Sequence, residues 1–129
     1  MKLENLAQKV KITCRREARL PWEKQDKWQR EAHGYTCTLS YRGRRLTVDF
    51  WMGRGIGHEP YSLDVLGNLL LDAGTHDNAR GFEDWASELG LNPDSRQDEK
   101  LYRKVGKQVE SLKKLLGDDY ETFLSAEQD

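Results

Sequence analysis

No apolar run in this 129-residue chain approaches the roughly 18 residues that would span a bilayer, so no membrane helix is expected. Met1–Val10 lacks the apolar segment of a secretory signal. Only two cysteines occur, Cys14 and Cys37. That is too few for a disulfide framework, and free thiols in a reducing cytoplasm are expected instead. Neither sign of charge dominates, since 21 Lys/Arg face 22 Asp/Glu, which excludes a uniformly basic or acidic chain. Catalytic signatures are also missing: no serine stands in a nucleophile-elbow pattern, and no Gly-Lys-Ser/Thr sequence follows a glycine loop. No cofactor and no metal is expected.

What is present is enough for one domain, 1–129, because twelve aromatic residues supply large units of buried area. Residues 1–54 carry thirteen Lys/Arg against six acids, a net of +7. Residues 55–129 carry eight against sixteen, a net of −8. The near-zero total therefore hides a basic strand region, 1–54, and an acidic helical region, 60–129.

Val10–Arg19 alternates Val10, Ile12 and Cys14 with Lys11, Thr13 and Arg15, the period of a half-buried strand. Gly34–Tyr41 and Arg45–Met52 are rich in Thr, Tyr, Val and Phe and flank Arg42-Gly43-Arg44, a hairpin signature. Their core sides should be Tyr35, Cys37, Leu39 and Tyr41, and Leu46, Val48, Phe50 and Met52. Leu20–His33 is expected to be a long connection holding Trp22 and Trp28.

Helical periodicity follows. One helix should start near Pro60, bury Leu63, Leu66, Leu69, Leu70 and Ala73, and close at Gly74. A short helix, Phe82–Leu89, should bury Phe82, Trp85, Ala86 and Leu89. Ser95-Arg96-Gln97-Asp98 resembles a capping box opening the longest helix, with the stripe Tyr102, Val105, Val109, Leu112, Leu116. Gly117 should end it, and Asp118 or Asp119 should cap a last segment carrying Tyr120, Phe123 and Leu124. Strands first and helices after predict an α+β fold: a three-stranded antiparallel sheet with three to four helices packed on one face.

Several residue groups could carry chemistry. Gly53–Gly57 lies between strand and helix, where backbone amides cradle anions, although its spacing fits neither nucleotide fingerprint. Asp72 and His76 stand four apart, but Gly74 is expected to break the helix between them. Glu83, Asp84 and Glu88 are carboxylates on an amphipathic helix, where a solvated face is their ordinary role. The largest signal is cationic: Arg15, Arg16 and Arg19 on the first strand, and Arg42, Arg44 and Arg45 at the hairpin tip. With Trp22, Trp28, Tyr41 and Trp51 interleaved, these arginines could hold a nucleic-acid backbone and stack its bases. They could equally blunt sheet edges and pair with the acidic half, and the pI near 6.3 argues against a dedicated nucleic-acid binder.

Five stretches carry a family resemblance: Tyr35–Gly53, Pro60–Ala73, Gly81-Phe82-Glu83-Asp84-Trp85-Ala86, Asp94-Ser95-Arg96 with Tyr102, and Leu115-Leu116-Gly117. In these the chain resembles small, mostly uncharacterised accessory proteins encoded by phages, prophages and plasmids. The matching residues are aromatic anchors, caps and helix stripes, and they carry no catalytic residue over. The resemblance implies a non-enzymatic binding protein acting on a host protein or ribonucleoprotein complex, with anti-CRISPR-like inhibition of a defence system as its most concrete form. Asp118, Asp119 and Glu121, with Glu127 and Asp129, would then offer an acidic face to a basic partner. The alternative is a nucleic-acid-binding accessory domain using the basic hairpin, and an enzyme with an anion site at the glycine loop ranks last.

Overall fold

Period-two alternation builds three antiparallel strands, β1 (Lys11–Arg16), β2 (Ala32–Tyr41) and β3 (Arg44–Gly53), ordered β1-β2-β3. The computed structural model describes residues 2–17, 32–53 and 55–126. Arg19, Trp22, Trp28, Glu127 and Asp129 lie outside the described residues. The hairpin pairs in register from Ala32↔Gly53 to Tyr41↔Arg44. Its connection is therefore two residues rather than the expected three, with Arg44 joining the strand. Arg42 (φ 48°) and Gly43 (φ 80°) both have positive φ, as a type I′ turn requires to match the twist of its strands.

The core side carries Ile12 and Cys14 on β1, Tyr35, Cys37, Leu39 and Tyr41 on β2, and Leu46, Val48, Phe50 and Met52 on β3. Cys14 and Cys37 stand directly opposite each other, both free, with sulfurs 3.5 Å apart. Burial pushes the Cys37 thiol up to about 12, so it stays protonated and behaves as a small apolar group. On the other side, cross-strand rows follow one another: Lys11, Ser40 and Arg45; Thr13, Thr38 and Thr47; Arg15, Thr36 and Asp49; then Gly34 and Trp51. The Trp51 ring rests on Gly34, where a Cβ would lie 3.0 Å from it.

Helices cover the core side. α1 (Leu3–Ala7) inserts Leu3 and Leu6. α2 (Ser62–Asn78) opens with the Tyr61 N–H donating to Asp64 Oδ2 at 2.8 Å, and it runs through Gly74 rather than stopping there. Its buried line is Val65, Leu66, Leu69, Leu70 and Ala73; Leu63, about 90° from the centre of that line at 100° per residue, is 39% exposed. α3 (Phe82–Glu88) buries Trp85 and Ala86 but leaves Leu89 exposed. α4 (Arg96–Leu116) begins where Ser95 Oγ accepts the Asp98 N–H at 3.3 Å, and it packs on α2, β2 and β3. Its stripe ends in Leu115 and Leu116, both buried. A 3₁₀ turn, Gly117–Asp119, leads into α5 (Tyr120–Leu124), which buries Tyr120 and Phe123. Among the described residues no helix is long and apolar enough to cross a membrane.

Two helical leucines, one on a buried stripe and one off it, should respond differently to truncation. Leu112→Ala, at a fully buried site, should cost about 2–5 kcal/mol in urea unfolding. Leu71→Ala, at a site 68% exposed, should stay within about 0.5 kcal/mol.

Candidate functional site

The hairpin tip and the acidic end of the chain meet. Arg44 Nε donates to the Leu115 carbonyl at 2.8 Å, satisfying one of the carbonyls that α4 leaves unpaired at its C-terminus and placing a cation at the negative end of the helix dipole. Gly117 is required beneath it. Its φ is +56°, and a Cβ there would sit 3.1 Å from the Arg44 guanidinium. Asp119 caps no helix with its side chain; instead its carboxylate accepts the Tyr41 hydroxyl at 2.7 Å and pairs with Arg42 at 3.1 Å. The Tyr41 ring meets Phe123 edge-on, with centroids 5.6 Å apart. Arg42, Arg44 and Asp119 are thus joined to one another's elements, while Asp118 and Glu121 stay exposed.

Elsewhere in the basic region, Arg15 donates to Glu17 at 2.8 Å and Thr36 donates to the same carboxylate. The Thr36 hydroxyl, then Arg15, hold the Glu17 carboxyl below its ordinary range. Arg16 lies 2.6 Å from His33 Nδ1. Arg45 is exposed beside Ser40 and Lys11 on the sheet face opposite the helices. In the glycine loop the Ile56 N–H donates to the Gly53 carbonyl, closing a turn, and α2 starts only at Ser62. The loop amides therefore do not run directly into a helix N-terminus, as an anion cradle of that type does. Asp84 accepts the Arg80 N–H at 3.0 Å just ahead of α3. Asp72 and His76 share the unbroken α2, and among the described residues no three His, Cys, Asp or Glu side chains gather as a metal site.

The most ordered charge lies on α4. Seven of the eight Lys/Arg after residue 54 are in this one helix: Arg96, Lys100, Arg103, Lys104, Lys107, Lys113 and Lys114. At 100° per residue, Arg96, Lys100, Arg103, Lys107 and Lys114 fall within about 40° of a single line, directly opposite the buried stripe. All five are exposed. At 1.5 Å per residue the row extends about 27 Å. Arg103 is bonded to Glu99 at 2.8 Å, and Glu110 turns to Lys113 at 3.7 Å. Arg96, Lys100, Lys104, Lys107 and Lys114 have no ionic or hydrogen-bonding side-chain partner among the described residues.

Gly106 lies about 80° around the helix from the row, on the flank that meets α2, and borders a groove of about 630 Å³. His76 of α2 fills the space a side chain at 106 would take: its Nε2 is 3.0 Å from the Cβ position. The imidazole stacks on Tyr102 at 4.6 Å and 18°, and Tyr102 leans on Phe82 and Trp85 of α3. The net charge of residues 55–129 hides this ridge, because the acids of α2, α3 and the C-terminal segment outnumber it. Projecting 96–116 on a helical wheel reveals it.

No family model, curated protein or solved structure matches the chain.

Beside this ridge Asp77 accepts the Tyr120 hydroxyl at 3.1 Å and lies 3.6 Å from Lys113. Burial first, and Asp77 second, push Tyr120 up to about 12. An unfolded tyrosine ionises near 10, so between about 10 and 12 the folded chain holds a proton the unfolded chain has lost. Stability contributed by Tyr120 should be complete below pH 10 and lost as pH rises to about 12. Urea midpoints across that window should fall, and more steeply than in Tyr120→Phe.

Proposed function

We propose that this protein is a non-catalytic binding protein that holds nucleic acid, free or within a host ribonucleoprotein complex, on the exposed ridge of α4. The observation that carries this reading is the alignment of Arg96, Lys100, Arg103, Lys107 and Lys114 along about 27 Å of a helix anchored by its opposite face. Cations on successive turns from Arg96 to Lys107, with Lys114 two turns on beyond Glu110 and Ser111, suit a polyanion, and releasing its condensed counterions supplies affinity. The hairpin arginines are less suited, because Arg42 and Arg44 would have to leave Asp119 and the α4 carboxyl end. For the phage or mobile-element setting suggested by the family resemblance, the same ridge would let the protein occupy nucleic acid exposed in a host defence complex, an anti-CRISPR-like mode of inhibition.

A second reading places a basic host protein on Asp118 and Glu121, both exposed and neither part of the Arg42–Asp119 pair. Its test is co-purification of a defined host partner that is lost in Asp118→Lys/Glu121→Lys.

Oligonucleotide binding followed by fluorescence anisotropy tests the first reading. Affinity should fall steeply with salt, and the triple change Lys100→Ala, Lys107→Ala, Lys114→Ala should lower the log–log slope by roughly two. Arg42→Ala should leave binding nearly unchanged. Absence of binding to single- and double-stranded probes at low salt would overturn the reading.

A further inference from the structure

Within the nucleic-acid reading of the ridge, on which this rests, we propose that the hollow at Gly106 receives an unstacked base, so that the preferred ligand is single-stranded. A polyanion needs only the row of cations; the hollow is an additional feature with different chemistry. Its floor is the His76 ring backed by Tyr102, an aromatic stack in place of a charged side chain. Its rim carries Arg103, Lys107 and Lys114, with Ser111 and one carboxylate, Glu110, which pairs with Lys113. Arg103 and Lys107 are four residues apart, about 6 Å along the axis, so phosphates on either side of one nucleotide could engage both while the base turns inward. At about 630 Å³ the groove lies within the range of about 300–1,000 Å³ typical of ligand clefts.

A Cβ at 106 would lie 3.0 Å from His76 Nε2, so the imidazole would have to give way, and a long side chain there would close the hollow. Tyr102 is in turn held by Phe82 and Trp85, so the floor is fixed by three elements. Aromatic floors between cationic contacts are how proteins grip single strands without reading sequence, since every base offers a π-face. In a duplex the bases stay stacked inside, and only its phosphates could reach the ridge.

The test compares a short thymidine oligonucleotide with an abasic oligomer of equal length and charge, a duplex of equal length, and polyglutamate. The thymidine strand should bind about tenfold more tightly than the abasic strand. His76→Ala should shrink that ratio to near one. If abasic and thymidine strands bind alike, or duplex binds more tightly than thymidine, the base-binding inference is overturned and the ridge reading survives; if polyglutamate binds more tightly than thymidine, both are overturned. If nothing binds, both fall. Should His76→Ala fail to fold, as judged by circular dichroism, the abasic comparison on the wild-type chain still decides the matter.

Discussion

The C-terminus of α4 ends in carbonyls that need donors, and the sheet supplies one. Arg44 reaches from the first position of β3 to the Leu115 carbonyl, over a glycine that leaves room for the guanidinium. Around that bond the Tyr41–Asp119 hydrogen bond and the Arg42–Asp119 pair gather, with Phe123 against the Tyr41 ring. The position of α4 across the core face follows from this junction at one end and from Val109, Leu112, Leu115 and Leu116 along its length. Everything α4 presents outward is therefore set by what it is fastened to.

Fastening also sorts the charge. Hairpin-tip cations and C-terminal acids look like opposed surfaces along the chain, yet Arg42, Arg44 and Asp119 are brought together and spend their charge on each other's elements. The cations left aligned belong to the region whose net charge is negative. A helix that buries one face must expose the other, and in α4 that other face is basic along one line. Its acids, Asp98, Glu99 and Glu110, are drawn to the cap region, to Arg103 and to Lys113.

Local rules carried most of the fold. Strand alternation, the glycine-bearing turn and the Ser95 cap each depend on neighbours a few residues away, and each is where the pattern puts it. Departures arise where tertiary context intervenes. Leu63 sits at the margin of α2's buried arc and Val65 takes its place, and Gly74 is carried through by a helix already packed on both sides of it. Site prediction was weaker for the same reason. Nothing near Arg44 in sequence announces a partner 71 residues away, and summing charge over half the chain averages out a stripe with a period of 3.6. The role of His76 under Gly106 also depends on an α2–α4 contact that neither helix encodes alone.

The distance between Tyr41 and Asp119 along the chain has a kinetic meaning. The hairpin closes over two residues, while the Tyr41–Asp119 bond closes over 78, and each doubling of a loop adds roughly 0.6 kcal/mol of closure entropy. Hairpin and helix can therefore each form on local information, but their junction waits until the hydrophobic layer has drawn the two ends of the chain together. Arg44 and Asp119 then act as a late latch, whose loss would speed unfolding far more than it would slow folding.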